Sequence, residues 1–447
     1  MDRRQFLKAA GAGATTLGVA ACKEAASSAG LKESADPGPE AMEMRTNPNS
    51  GDRVSILGYG CMRWKMKKDE NGRDLVDQDS VNELVDYAIA HGVNYFDTSP
   101  VYLQGQSEAA AAKALLRHPR EKYMIATKMS NFSNHTREAS LAMYRHSFEA
   151  FQTDTMDYYL LHSLSGEEEF KQRFIDNGMM DFLLAEREAG RIRNLGFSFH
   201  GPVKGFDYMV SLHEQYHWDF VQIQMNYVDW HHAQGRNVDA SYLYKELDDR
   251  GIPIVIMEPL LGGRLSNVPD PVAVRLKEKA PGKTIASWAF RFCGTYPRVL
   301  TALSGMTYME HLVDNCDTYC HFKPLTQEDL DFLEEMALLI RDFPLIGCTT
   351  CNYCMPCPYG IDIPGIFLSY NDAVNSGLVA ESVEQSDFKR LKRRYLALYD
   401  KSVETIRQAD HCISCGQCQP HCPQNIRIPR ELARIDGYVE KLKRGTL

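Results

Sequence analysis

Apolar and polar positions along this chain keep one rhythm from Val54 to about residue 320 and another beyond it. In the first region short apolar runs alternate with longer amphipathic stretches, and the runs end on polar or ionisable residues. N-Y-F-D closes at Asp97, Y-M-I-A-T-K at Lys128, D-Y-Y-L-L-H at His162 and L-G-F-S at Ser198. F-V-Q-I-Q closes at Gln224, P-I-V-I-M-E at Glu258 and V-L-T-A-L-S at Ser304. An eighth run, V-S-I-L-G-Y-G, lies around Gly58 and precedes them all. Helical spacing between the runs predicts helices over Ser80–His91, Thr136–Phe151 and Ala240–Arg250, among others. Eight alternating strand–helix units predict an α/β fold, a closed (β/α)8 TIM barrel over residues 53–322. No G-x-G-x-x-G follows the first strand, which counts against an open dinucleotide-binding sheet. Beyond the barrel the pattern is mainly helical, with a connecting helix over 323–347 and a further helical stretch over Gln385–Asp410.

A chain of 447 residues exceeds what one core usually serves, so more than one domain is expected. The net charge of −9 offers no basic face of the kind nucleic-acid binding needs. No internal apolar run approaches the length that spans a bilayer.

The first residues, D-R-R-Q-F-L-K, lead into an Ala- and Gly-rich apolar stretch ending V-A-A-C at Cys22. Basic residues before an apolar stretch have the form of a signal peptide. Arg3 and Arg4 with Phe6, Leu7 and Lys8 resemble a twin-arginine signal, and Val19–Cys22 resembles a lipoprotein box that would make Cys22 the lipidated first residue. The expectation is a periplasmic protein exported already folded, with membrane attachment only through that lipid. Residues 23–52 read as a flexible tether.

In a parallel barrel the chemistry sits at the carboxyl ends of the strands. Asp97, Lys128 and His162 end successive strands there, and Tyr102 follows Asp97 by five residues. Alone, each has a plain structural reading: an interface tyrosine, an ion pair, a satisfied histidine. Together they make a carbonyl-reducing set. Hydride addition to a carbonyl carbon needs a proton at oxygen, and a free tyrosine, with a pKa of about 10, gives it up poorly. The ammonium of Lys128 is expected to lower that pKa, Asp97 to hold Lys128, and His162 to orient the carbonyl oxygen.

These residues stand in G-Y-G-C-M-R (58–63), F-D-T-S-P-V-Y (96–102), A-T-K (126–128), L-L-H (160–162) and G-F-S (196–198), and the stretch 44–320 resembles the aldo-keto reductase family. The resemblance implies catalytic roles for Asp97, Tyr102, Lys128 and His162. It also implies a site for NADP or NAD: Ser198 and Gln222 at the nicotinamide carboxamide, Leu260, Gly262 and Gly263 at the pyrophosphate, and Asn315 at the adenine. Met257 stands where the family stacks an aromatic ring. Gly305 and His311 stand where it often grips the 2′-phosphate with Lys and Arg, so the phosphate clamp is weakened.

Thirteen cysteines are present, and eight of them fall in two tight runs after residue 347. Cys348, Cys351, Cys354 and Cys357 are each two residues apart, with Pro358 next; Cys412, Cys415, Cys418 and Cys422 run C-x2-C-x2-C-x3-C before Pro423. The second run is the bacterial ferredoxin pattern, so residues 348–447 are expected to be a ferredoxin-type domain holding two [4Fe-4S] clusters. In two-cluster ferredoxins the fourth ligand comes from the other run. This groups Cys348, Cys351, Cys354 with Cys422, and Cys412, Cys415, Cys418 with Cys357. Zinc sites favour C-x2-C pairs split by a longer loop, and disulfides across consecutive C-x-x-C steps are strained. Cys61, Cys293, Cys316 and Cys320 are expected in the core. The basic residues Lys389, Arg390, Lys392, Arg393 and Arg394 are expected on a solvated helix face.

Joining a hydride site to one-electron clusters suggests a wire by which electrons enter or leave. Outside the cytoplasm, where free dinucleotide is scarce, the cofactor would stay bound and be recharged through the clusters. A small carbonyl or alcohol would be the substrate, and a redox partner could meet the cluster domain. The competing reading is a non-catalytic barrel serving as a binding or electron-transfer subunit with structural clusters.

Overall fold

The structure, a computed structural model, describes residues 41–235 and 237–447. The signal-like segment, Cys22 and the part of the expected tether up to residue 40 lie outside them.

Eight parallel strands close into a barrel: β1 Leu57–Gly60, β2 Tyr95–Asp97, β3 Met124–Met129, β4 Met156–Leu164, β5 Ile192–Phe199, β6 Phe220–Gln224, β7 Ile254–Met257 and β8 Val299–Ser304. Neighbours in sequence are neighbours in the sheet, and β8 returns to β1 with Ala302 opposite Leu57. The strands are buried on both sides, one side filling the barrel and the other meeting the helices, which is why they read as near-continuous apolar runs. Helix Gln78–Ala90 shows the matching helical half of the pattern. It buries Val81, Leu84, Val85 and Ala88, which share one face at 3.6 residues per turn. Inside the barrel Tyr95 meets Tyr158, and Tyr158 meets Phe220, edge-on at 4.9 and 5.0 Å between ring centres.

Residues 41–52, expected within the flexible tether, belong to the fold. Met44–Thr46 pairs antiparallel with Arg53–Ser55. The turn between them carries Asn47 and Asp52, both buried, against Tyr158 and Asn194. The apolar run around Gly58 is therefore two strands, one in this hairpin and one in the barrel.

The connecting helix spans Gln327–Arg341, shorter than the 323–347 expected, because a Thr326–Asp329 capping box starts it. The helix expected over Gln385–Asp410 is Phe388–Ser402 only. Val403 is extended, and two short turns follow. Gln408 Nε2 donates to the carbonyl of Val403 at 3.2 Å and to Asp400 at 3.0 Å, which folds the chain back toward Cys412. Cys61, Cys293 and Cys316 are buried as expected; Cys320 is only partly buried. Helix Met309–Tyr319 stops just before it, and its backbone bridges to Met42 at the barrel's edge.

Helices Ile363–Asn375, Phe388–Ser402 and Ile428–Arg444 pack around Ile366, Phe367, Tyr395, Ile428, Leu432 and Ile435. Six of the eight clustered cysteines pack against this second core. It and the barrel belong to one compact unit, Gly38–Leu447.

Candidate active site

Strand ends set the catalytic group. Lys128, on β3, is fully buried, and its Nζ donates to both oxygens of Asp97 at 2.6 Å and to the carbonyl of Thr98 at 2.8 Å. The same ammonium lies 5.1 Å from the centre of the Tyr102 ring. Tyr102 meets His162 edge-on, ring centres 5.8 Å apart. Nδ1 of His162 is 2.5 Å from Ser130 Oγ and 3.4 Å from Ser99 Oγ, which fixes the ring and leaves the other nitrogen for the cavity. Burial, with Lys128 and Arg173 adding, pushes the imidazole well below 6.5, so it is neutral. The structure thus brings all four residues together.

The expected fall in the Tyr102 pKa is not what the structure holds. Burial first, then Tyr353, Asp97, Cys61 and Glu258, raise it well above 10. The ammonium that was to lower it is held by Asp97, whose own charge acts to raise it. The phenol stands as a protonated donor.

A cavity of about 550 Å3 opens over this group, well within the range of small-molecule sites. Asp97, Tyr102 and His162 line it, with Ser198, Gln222, Met257, Leu260, Gly262, Gly263, Gly305, His311 and Asn315. All nine residues assigned to the dinucleotide therefore face one space. The Oε1 of Gln222 is buried without a partner, an acceptor waiting for an N–H such as that of a carboxamide. Ser198 Oγ accepts from the Ser163 amide at 2.7 Å, and Asn315 donates to Ser304 at 2.9 Å. These residues fit the dinucleotide that the resemblance implies.

Part of the lining comes from the cysteine-rich domain: Thr349, Cys351, Tyr353, Pro423 and Gln424. Thr349 packs directly on Gly262, at a backbone φ of +71°, where a Cβ would strike the threonine backbone. Arg63, in the loop after β1, donates to the carbonyl of Thr349 and to the carbonyl and hydroxyl of Thr350, the last two at 2.9 and 2.6 Å. Gln424 bonds Gln224 and Asn237 on the barrel. The second domain thus contributes part of the cavity's lining.

The sequence reading missed the roles of Arg63, His200, Glu258, Tyr353 and Gln424 in this lining. Glu258 carries a visible signal only in the structure: a left-handed backbone at φ +56° and a carboxyl raised by burial. Tyr353 sits in the spacer of a C-x2-C step, where an aromatic ring beside two cysteines was the one clue.

The cysteines form two sets. The thiols whose charges bear on Cys354 are Cys351, Cys348 and Cys422; those that bear on Cys418 are Cys412, Cys357 and Cys415. Burial pushes Cys348 and Cys354 up to about 12, a penalty on thiolates that bound iron would offset. Among the described residues all cysteines are free, and no three His, Cys, Asp or Glu side chains converge tightly enough for a single ion. Wider spacing is what a cubane requires, since each thiolate holds a different iron. A cavity of about 260 Å3 is lined by Cys354, Cys357, Cys412, Cys415 and Cys418. The residues fit the clusters, with Cys351 toward the catalytic cavity and Cys415 exposed.

A closed parallel barrel, an ammonium–carboxylate pair beneath a phenol and a cysteine-rich cap define an oxidoreductase with an iron–sulfur module. The chain belongs to the Aldo/keto reductase family, which matches residues 56–337, and a 4Fe-4S dicluster domain matches residues 347–428. L-Galactose dehydrogenase of Arabidopsis thaliana is 23% identical over 67% of this chain and 94% of its own length. A probable aldo-keto reductase of Glycine max is 40% identical, but over 17% of this chain and only 21% of that protein. An aldo-keto reductase of Bacillus halodurans in its holo form superposes with a TM-score of 0.52 at 21% identity, covering 66% of this chain and 96% of that one. One from Klebsiella pneumoniae, in complex with NADP and acetate, gives 0.52 at 20% identity over 66% and 95%.

Proposed function

We propose that this protein interconverts a small carbonyl compound and its alcohol at the barrel mouth, using a nicotinamide dinucleotide that stays bound beneath the cysteine-rich domain and exchanges electrons with two [4Fe-4S] clusters. The observation that carries the reading is that Cys351 and Tyr102 line one cavity.

Bound there, the nicotinamide supplies the hydride and the clusters supply one-electron capacity. The chain's own residues do the rest. Tyr102 is the proton source for the carbonyl oxygen; burial keeps it protonated and also makes it a weak acid, so the transfer depends on the negative charge that builds on that oxygen during reduction. Neutral His162 donates a hydrogen bond to the same oxygen and shares its developing charge. Asp97 holds the Lys128 ammonium beneath the ring. Gln222 and Ser198 orient the carboxamide end.

Cys348, Cys351, Cys354 and Cys422 hold the cluster beside the cavity, and Cys412, Cys415, Cys418 and Cys357 hold the outer one. Two cubanes match the two electrons of one hydride, and the exposed Cys415 end offers contact to a redox partner. At the adenosine end the lining carries Glu310, His311 and Asp314, and Arg63 stands against Gly305, so the site suits NAD or NADP. A retained dinucleotide suits an exported protein. Arg3–Arg4 and the V-A-A-C sequence at Cys22 support twin-arginine export to the periplasm with a lipid anchor.

The test is to purify the full chain anaerobically with its clusters, add alcohols and carbonyls without free dinucleotide, and follow cluster and nicotinamide absorbance together. Substrate-driven change in both is expected. Cofactor-free protein that turns over only on added NADPH, its clusters spectrally silent, would overturn the reading.

A further inference from the structure

Among the described residues Tyr353 alone is common to the linings of the catalytic cavity and the cysteine-lined cavity. It lies between Cys351 and Cys354 in sequence and forms part of the wall between the two spaces. Among the described residues neither its hydroxyl nor that of Tyr102 makes a hydrogen bond, although both residues face the catalytic cavity. On that side Arg63 is engaged with Thr349 and Thr350 and Gln424 with Gln224 and Asn237, while the Thr349 hydroxyl is buried away from the solvent without a partner. One cavity thus presents two unpartnered phenols, one from each domain.

Resting on the carbonyl-reducing role argued above, we propose that Tyr353 is a specificity-determining residue and that the substrate is a hydroxylated carbonyl compound. Tyr102 and His162 take the reacting oxygen, and Tyr353 takes a second oxygen on the same molecule. A substrate that fills the cavity expels water from both phenols. One with a single oxygen satisfies Tyr102 and leaves Tyr353 desolvated and unpaired, whereas one with a hydroxyl pairs both. Sites built to bond a substrate hydroxyl discriminate strongly against analogues lacking it, for this reason.

The experiment compares glyceraldehyde with propionaldehyde, which has the same three carbons and no hydroxyl, on the full-length protein with its clusters. Both binding, by calorimetry, and kcat/KM are measured for wild type and Tyr353→Phe. Wild type is expected to favour glyceraldehyde by at least about tenfold in each, and Tyr353→Phe to shrink that ratio several-fold through KM, with the cluster spectrum retained. Equal affinity of wild type for the two aldehydes, or an equal loss for both in the variant, overturns the proposal. If Tyr353→Phe fails to hold its clusters, the wild-type ratio alone decides. Preferential glyceraldehyde binding without turnover would leave this inference standing and defeat the catalytic reading; turnover without preference would do the reverse.

Discussion

Arg63 of the barrel reaches across to Thr349, holding its carbonyl with one guanidinium nitrogen while the other bonds Thr350. The contact joins the loop after β1 to the segment that enters the first cysteine run. It also places Arg63 against Gly305, so one side chain touches both the barrel side of the cavity and the segment that enters the cysteine run. Replacing it by alanine removes charge-assisted bonds, which contribute roughly 1.5–3 kcal/mol each where water is excluded and less at this partly buried position. Arg63→Ala is expected to loosen that segment without unfolding the barrel. Amide exchange should rise around residues 347–353, and a copurifying dinucleotide should wash out on desalting. Unchanged exchange in that segment would refute the latch.

Lys128 and Asp97 form a buried pair in which each charge depends on the other. Removing one partner of such a pair costs about 3–5 kcal/mol, because the remaining charge is left uncompensated. Lys128→Met should lower stability by that order in denaturant unfolding. The double variant Lys128→Met with Asp97→Leu should recover much of the loss while remaining inactive. If the single and double variants are equally unstable, the pair is not what holds this part of the barrel.

Tyr102→Phe separates catalysis from binding. Loss of a positioned proton donor typically costs about 10^2–10^4 in rate. Turnover should fall in that range while dinucleotide affinity stays near wild type. A parallel fall in affinity would mean the hydroxyl serves binding, and would favour a non-catalytic barrel.

These four residues were legible in the sequence because each sits at or just after a strand end, and strand order places them at one mouth. The groove residues were named through the resemblance to the aldo-keto reductases rather than through the alternation, and the structure sets them along one cavity. What escaped depends on contacts far apart in the chain: Arg63 with Thr349, and Tyr353 with the cavity above Tyr102. No periodicity encodes a contact across nearly 300 positions, 286 between Arg63 and Thr349. The direction of the Tyr102 shift escaped for a related reason, since burial and the nearness of the Asp97 charge are properties of packing. Residues 41–52 looked like a tether because their ordering comes from side chains such as Asn47 and Asp52, polar residues that sequence patterning assigns to solvent.

His162 makes stability depend on pH. Its folded pKa is depressed below the reference 6.5 by burial and by Lys128, Arg173 and His200. Below 6.5 the unfolded chain therefore binds a proton that the folded chain refuses, and ΔG of unfolding falls as pH falls, by at most about 1.4 kcal/mol per unit. The contribution is present above 6.5 and is lost progressively on acidification toward the folded pKa. Comparing wild type with His162→Gln at pH 7.5 and 5.5 isolates it from any acid loss of clusters common to both. The wild type should lose more stability than the variant; equal losses would place the proton elsewhere.

Ligand pairing is the last point that mutation can decide. The charges bearing on Cys354 include Cys422, from the far run, and those bearing on Cys418 include Cys357, from the near one. If each cluster takes three thiolates from one run and one from the other, Cys422→Ser should abolish the cluster beside Cys351 and spare the outer one. Iron content should drop from roughly eight to roughly four per chain, by the stoichiometry of two four-iron clusters. The remaining cluster should be the one farther from the barrel, so adding substrate should no longer change its electron paramagnetic resonance signal. Cys357→Ser should do the opposite: the outer cluster goes, and the inner one still responds to substrate. Were the runs to bind independently, four thiolates each, the two variants would exchange these outcomes, and the relay from Cys351 outward to Cys415 would have to be redrawn.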